Sequence, residues 1–221
     1  MTIRLRPGTA LDLTHTIEEG MPTYVGDAVP RVSRLKTLAK DGVNLSVLTL
    51  GSHTGTHVDA PIHFIKGGMS LDQLPVESFV GEASVIDLSD VPAGTAIASS
   101  ELARHTSEIH AGDIVLLYTG FSRRWRDSKA RRNYTYLGKD AAEWLAGKEV
   151  KAVGIDYLSV EGFGAAVPVA HKTLLSKGIP IIESLSDRLE ELVGRRVFFV
   201  CLPIKVGGCD GAPARAIAYL L

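Results

Sequence analysis

Short runs of apolar and β-branched residues recur along the whole chain, and such runs are typical of β-strands. The clearest runs cover residues 11–17, 45–50, 83–88, 114–118, 150–155, 179–182 and 197–202. Apolar residues at helical spacing lie between some of them, best at residues 100–107, 139–146 and 169–177. Predicted strands outnumber helices, and several successive strands have no helix between them. This pattern predicts an α/β fold: a mixed β-sheet or partly closed barrel with a few short helices packed outside.

Length and composition narrow the class of protein. With 221 residues, of which 45% are hydrophobic, the chain can bury one sizeable core, and we predict one domain over residues 1–221. The 24 basic and 25 acidic side chains leave a net charge of −1. This balance argues against binding of nucleic acid or of a membrane surface through bulk charge.

The cysteine count and the apolar runs predict a cellular location. The chain has 2 cysteines and begins with no apolar run that resembles a signal peptide. Its apolar runs are all much shorter than the roughly 18 residues of a membrane span. We therefore expect a reducing, cytoplasmic environment.

One segment, residues 121–137, is rich in basic and aromatic residues, among them Trp125. Such a mixture can bind single-stranded nucleic acid. One short basic segment on a neutral domain offers little charge for binding nucleic acid. We therefore expect the segment to be a solvated surface loop, or a lid that covers a site, and not a nucleic-acid-binding site.

The strongest chemical signal is a cluster of histidines between residues 51 and 64. Two residues apart in an extended segment, His57 and Asp59 would point to the same side, and Gly55 would let the backbone turn so that His53 joins them. Two imidazoles and a carboxylate suit a catalytic Zn²⁺ or Mn²⁺. His63 lies past a turn; it could be a further ligand or a proton shuttle, since imidazole titrates near neutrality.

The run from His53 to Phe64 resembles the signature of the cyclase family of metal-dependent hydrolases, which includes bacterial arylformamidases and isatin hydrolase. The likeness continues in order along the chain. It includes the runs at residues 12–15, 19–22, 154–156, 159–160, 171–175, 178–183 and 210–217. The resemblance implies a cyclase-like α/β fold.

The resemblance also implies a site with two divalent metal ions, Zn²⁺ before Mn²⁺. Its first metal would be held by His53, His57 and Asp59, and Asp59 would bridge to a second metal bound by His171 and Glu183. His63 would act as the catalytic base and acid. The implied reaction is hydrolysis of a small-molecule amide, such as N-formylkynurenine, by a hydroxide formed at the metals, and the implied assembly is a homodimer or homotetramer.

The substrate is less well defined by the sequence. Tyr24 stands where relatives often carry Trp, and Glu161 follows Ser159-Val160 where Asp is common. The sequence therefore leaves open both the shape of the pocket and whether the substrate is a formamide. Tyr24, Phe64 and Tyr157 are the predicted substrate contacts, with Phe163 a further candidate. A lactone or cyclic amide (isatin-like) hydrolase is the alternative, and a binding module that uses metal structurally is a more distant one.

Overall fold

The computed structural model describes residues 10–221, and the strands and helices are short. The strands are β1 Ala10–Asp12, β2 Arg31–Lys36, β3 Leu45–Thr49, β4 His57–Asp59, β5 Val80–Asp87, β6 Ala96–Ile97, β7 Ile114–Tyr118, β8 Tyr136–Leu137, β9 Ala152–Ile155, β10 Ile181–Glu183, β11 Arg196–Pro203 and β12 Gly211–Leu220. The α-helices are α1 Leu38–Asp41, α2 Ser99–Ala103, α3 Lys139–Gly147 and α4 Val169–Leu175. Short 3₁₀ turns lie at Pro61–His63, Leu71–Gln73, Val76–Phe79, Phe121–Arg124, Ala130–Arg132 and Asp187–Leu192.

The main sheet closes into a barrel. Its strand order is β1-β12-β11-β5-β7-β9-β10-β4, and β4 also pairs with β12. The strands of this sheet other than β1 therefore form a closed ring. Neighbours from β5 through β7 and β9 to β10 are parallel, and the other pairs are antiparallel. The predicted mixed sheet is confirmed, and its closure is complete.

Two apolar clusters lie on opposite faces of the barrel wall because successive side chains on a strand alternate in direction. Val85 and Leu116 belong to the cluster inside the ring, together with Phe199. Their neighbours Ile86 and Leu117 face outward, onto buried residues of α2, α3 and α4. The predicted packing of the helices outside the sheet is confirmed. No helix in the described part of the chain, residues 10–221, is long and apolar enough to cross a membrane.

Five strands were not expected from the apolar pattern: β2, β4, β6, β8 and β12. Strand β2 is fully exposed and mixes charged and apolar residues, and β4 is three residues long and mostly polar. Strands β6 and β8 have two residues each, and β12 begins Gly-Ala-Pro and continues with Ala at alternate positions. The strand predicted at residues 11–17 ends at Asp12, where the carboxylate accepts a hydrogen bond from the Thr14 N–H at 3.2 Å. A side chain that bonds its own backbone two residues on favours a turn over a strand.

The basic segment at residues 121–137 is anchored by its aromatic side chains. Trp125 and Tyr134 are buried in a cluster with Tyr157 and Leu158. Trp125 also stacks on the imidazole of His15, with ring centroids 3.9 Å apart. Three arginines at the surface form ion pairs: Arg123 with Glu190, Arg124 with Asp127 and Arg126 with Glu18. The segment is a packed flap and not a solvated loop.

Candidate functional site

Strand β4 places His57 and Asp59 on one face at the point where the barrel closes. On one side His57 lies opposite Glu183 of β10, and on the other Asp59 lies opposite Gly211 of β12. The titratable side chains of His57, Asp59 and Glu183 are all buried. The predicted common orientation of His57 and Asp59 is confirmed.

His53 reaches the same point through a turn at Gly55. Gly55 has a φ of 65°, a conformation that glycine adopts without strain. His53 Nδ1 then lies 2.8 Å from Asp59 Oδ1, and His57 Nε2 lies 3.3 Å from the same oxygen. The atoms offered by His53, His57 and Asp59 all lie within 4.8 Å of one another, close enough to share one cation.

A second group shares Asp59. His171, on helix α4, has its Nε2 3.5 Å from Asp59 Oδ2 and 3.3 Å from Glu183 Oε1. Glu183 Oε1 also accepts a hydrogen bond from the Val160 N–H at 2.7 Å, which fixes the carboxylate. The offered atoms of Asp59, His171 and Glu183 again lie within 4.8 Å of one another. The five predicted ligands therefore converge, with Asp59 between the two groups.

The chemistry of this donor set fits metal ions. Each histidine offers one nitrogen to the centre and turns the other to an acceptor outside it: Asp210 at 2.8 Å for His53, the Gly55 carbonyl at 2.7 Å for His57, and Glu161 at 3.3 Å for His171. An outer acceptor of this kind fixes the tautomer of a metal-binding histidine. Inside the centre, buried His57 Nε2 and Asp59 Oδ2 have no hydrogen-bond partner among residues 10–221. Unpaired buried polar atoms are costly unless a cation satisfies them.

The electrostatics show how strongly the groups interact. Burial alone would lower the pKa of His57, but the carboxylates of Asp59 and Glu183 outweigh it and raise this pKa to about 10. Burial would likewise raise the pKa of Asp59, yet the neighbouring imidazoles of His171, His53 and His57 hold it well below the usual value. The carboxylates are therefore ionised, the state that binds divalent cations.

Asp210 and Glu161 are functional candidates that sequence reasoning missed. In the sequence, Asp210 stands out only through the family likeness, and Glu161 only as a departure from it. Glu161 is buried and accepts hydrogen bonds from the Ala170 and His171 N–H groups at 3.0 and 3.3 Å, in addition to the His171 ring. The signal in the sequence that could have indicated this role is the position of the Glu161 carboxylate, in an otherwise apolar, glycine-rich stretch ten residues before His171.

A cavity of about 480 Å³ opens onto the centre. His63 and Phe64 line it, and the Phe64 ring lies 4.7 Å from that of His171. Tyr24 also lines it, and its hydroxyl accepts a hydrogen bond from the Gly164 N–H at 3.3 Å.

Tyr157 does not fit the role predicted for it. Its side chain is 0% exposed and packs on Phe121, Trp125 and Tyr134 behind the cavity. The tyrosine follows Asp156 at the end of a barrel strand, and its ring turns into the core of the flap. The expectation of a substrate contact at Tyr157 is therefore wrong.

The chain is similar in sequence to several known proteins. Residues 11–162 match the family model described as putative cyclase. A kynurenine formamidase of Erythrobacter litoralis is 28% identical over 210 residues, which cover 93% of this chain and 91% of that protein.

Solved structures show the same fold. A potential metal-dependent hydrolase with cyclase activity has a TM-score of 0.82 and 34% identity, covering 96% of this chain and 98% of its own. Isatin hydrolase A from Labrenzia aggregata has a TM-score of 0.86 and 25% identity, covering 96% and 93%. The chain therefore belongs to the cyclase family of metal-dependent hydrolases.

Proposed function

We propose that this metal-dependent hydrolase cleaves the C–N bond of a small-molecule amide, with an arylformamide such as N-formylkynurenine as the leading candidate. The observation that carries the proposal is the convergence of three histidines and two carboxylates on one face of the closed barrel, beside a cavity with aromatic walls. The similarity to a kynurenine formamidase supports the amide.

Two divalent ions, Zn²⁺ before Mn²⁺, are the proposed cofactors. His53 Nδ1, His57 Nε2 and Asp59 Oδ1 would hold the first, and the second would be held by His171 Nε2, Glu183 and the other oxygen of Asp59. Imidazole and carboxylate are suitable ligands for both metals. Such ions, when bound, lower the pKa of water and stabilise negative charge on a carbonyl oxygen.

His63 is the proposed proton carrier. Its ring lines the cavity, and its Nδ1 faces Asp210 at 3.2 Å, so Nε2 is the nitrogen available to the reacting groups. An amide has a poor leaving group, whose nitrogen must be protonated as the C–N bond breaks. His63 Nε2 would accept a proton from water and deliver it to that nitrogen.

Phe64 and Tyr24 are the proposed substrate contacts. Both side chains line the cavity, and flat rings there suit an aromatic or planar acyl compound. About 480 Å³ is also the scale of pockets that enclose small molecules.

Hydrolysis of a panel of formanilides, isatin-like lactams and small lactones, with Zn²⁺ or Mn²⁺ added, tests the proposal. We expect the fastest turnover on a formanilide. His63→Ala should keep its metal and lose roughly 10²–10⁴-fold in kcat, as removal of a general acid–base group does. Asp59→Ala and the isosteric Asp59→Asn should lose metal. An Asp59 variant with full metal content would contradict the ligand assignment.

The cyclic amide is the second candidate substrate. The high structural similarity to isatin hydrolase A supports it, since a lactam presents the same carbonyl and nitrogen in a ring. Faster turnover of isatin-like lactams than of formanilides in the same panel would favour this reading.

We also propose a homodimer, assembled through an exposed arm. The arm consists of β2, α1 and β3, and none of its residues 31–49 is buried. A two-stranded hairpin is marginally stable alone, and a large exposed apolar patch marks an interface. The exposed apolar residues in and beside the arm are Val25, Val29, Val32, Leu35, Leu38, Val43, Leu45, Val47 and Leu48. A second copy of the chain is the proposed partner.

Light scattering tests the dimer. Val32 and Leu48 are paired across the arm, and we expect the double change to Ser to convert a dimer into a monomer. Leu220→Ser, at an exposed position outside the arm, is the control. A monomeric wild-type protein would contradict the proposal.

The unpaired thiols of Cys201 and Cys209 are consistent with the cytoplasmic location that we propose.

A further inference from the structure

Asp210 lies where the metal ligands and the proton carrier meet. One of its oxygens, Oδ2, is 2.8 Å from His53 Nε2 and 3.2 Å from His63 Nδ1. The centroids of the two imidazole rings lie 4.1 Å apart, and the ring planes are tilted by 34°. The other oxygen, Oδ1, faces the thiol of Cys209 at 3.6 Å.

The backbone holds Asp210 firmly in this place. Its carbonyl accepts a hydrogen bond from the Ala60 N–H at 2.8 Å, and the next residue, Gly211, begins β12 opposite Asp59. The His53 ring packs directly over Gly211, where an added Cβ would lie 3.0 Å from His53 Cε1. The carboxylate is thus attached to the strand that closes the barrel and not to a free loop.

We propose that Asp210 is a positioning residue that holds His53 and His63 in one fixed arrangement, an inference that rests on the proposed function. His53 has one nitrogen for the centre, Nδ1, so its Nε2 carries the hydrogen that is donated to Asp210. The Nδ1 of His63 faces the same oxygen at 3.2 Å, and a hydrogen held on Nδ1 leaves a lone pair on Nε2 for the reacting groups. A single acceptor thereby selects the tautomer of both rings.

The shared oxygen has a mechanical consequence. An imidazole without a partner can rotate and exchange tautomers, and in either case His63 would present the wrong atom for proton transfer. With Asp210 in place, the ring of the proton carrier is held at a set position relative to the ring of a metal ligand. Asp210 acts through these two histidines and need not touch the substrate.

The test compares Asp210→Ala and Asp210→Asn with the wild-type full-length chain. We expect both variants to keep two metals per chain, measured by mass spectrometry of bound metal. The kcat of Asp210→Ala should fall roughly 10- to 100-fold, the usual cost of removing an outer partner of a metal site, with KM changed less than about twofold. Asp210→Asn retains one acceptor oxygen and should lose less.

A second readout does not depend on activity. In chelated protein labelled with ¹⁵N-histidine, the His63 signals, identified with His63→Gln, should report hydrogen on Nδ1 in the wild type and a mixture of tautomers in Asp210→Ala. Asp72→Asn is the matched control, because Asp72 accepts a hydrogen bond from Gly208 N–H in the same loop at 2.8 Å. It should leave the His63 signals unchanged.

Several outcomes would overturn the inference. Unchanged His63 signals in Asp210→Ala would do so, as would an unchanged kcat. Loss of one metal per chain would make Asp210 a ligand, since His53, His63 and Asp210 also lie close enough to share a cation. If the wild type hydrolyses none of the tested compounds, the proposed function fails, while the tautomer measurement still decides the role of Asp210.

Discussion

Removal of metal should make the stability of this protein depend steeply on pH above neutrality. In chelated protein the buried His57 would carry a proton, because Asp59 and Glu183 raise its pKa from 6.5 to about 10. A group whose pKa is higher in the folded state stabilises the fold fully below its unfolded pKa and loses this contribution as pH rises toward the folded value. The loss therefore falls between about pH 6.5 and about pH 10.

The size of the effect follows from the same values. Each pH unit in this window costs about 1.4 kcal/mol per group, so moving from pH 7 to pH 9 should cost about 3 kcal/mol through His57 alone. His171 and His53 also have raised pKa values, because nearby carboxylates outweigh burial. For a chain of this length, 3 kcal/mol corresponds to roughly 6–12 °C in Tm.

Thermal unfolding followed by circular dichroism, at pH 7 and pH 9 with chelator or with Zn²⁺, measures the effect. The metal-loaded protein should show a much smaller change, since ligand histidines are neutral at both pH values. His57→Gln should weaken the dependence, and His110→Gln, at an exposed position, should leave it intact. Equal pH dependence with chelator and with Zn²⁺ would refute the reasoning.

Three further predictions concern the packing around the centre. Gly211→Ala should lower the free energy of unfolding by about 1–3 kcal/mol and weaken metal binding, because the new Cβ would lie 2.7 Å from the Val58 carbonyl and 3.0 Å from His53. A titration of metal affinity measures the effect, and Gly207→Ala, with open space around the Cβ, is the control. Glu161→Gln should weaken metal binding about 10- to 100-fold by freeing the His171 ring, and an unchanged affinity would show that the helix alone orients it. Alkylation should modify Cys209 and spare Cys201, because burial shields the Cys201 thiol and raises its pKa. Mass spectrometry of peptides measures the modification, and alkylation of Cys201 in place of Cys209 would contradict the prediction.

The sequence predicted which side chains converge better than it predicted the strands that carry them. His57 and Asp59 were paired correctly because a spacing of two residues has a single meaning in extended backbone. Strand β4 itself was not predicted, since three residues with polar ends form no apolar run. Its strand character comes from neighbours on both sides, and pairing of this kind is not visible in local sequence.

The outer partners of the histidines could not be predicted for a related reason. Asp210 is far from His53 in the chain, and the contact exists only because β12 returns to β4. Tyr157 illustrates the opposite error. An aromatic residue near a predicted site can face the cavity or the core, and only the packing of Trp125 and Tyr134 decides that it faces the core.

The brevity of β4 also bears on how the chain reaches its native state. This strand completes the ring only when it has paired with β10 and β12, which both come from the last part of the chain. Contacts between segments so distant in sequence carry a large entropic cost before they contribute stability, and they slow folding. Ring closure and assembly of the ligand cluster should therefore be one late kinetic event, so that added Zn²⁺ would chiefly slow unfolding and would accelerate refolding little.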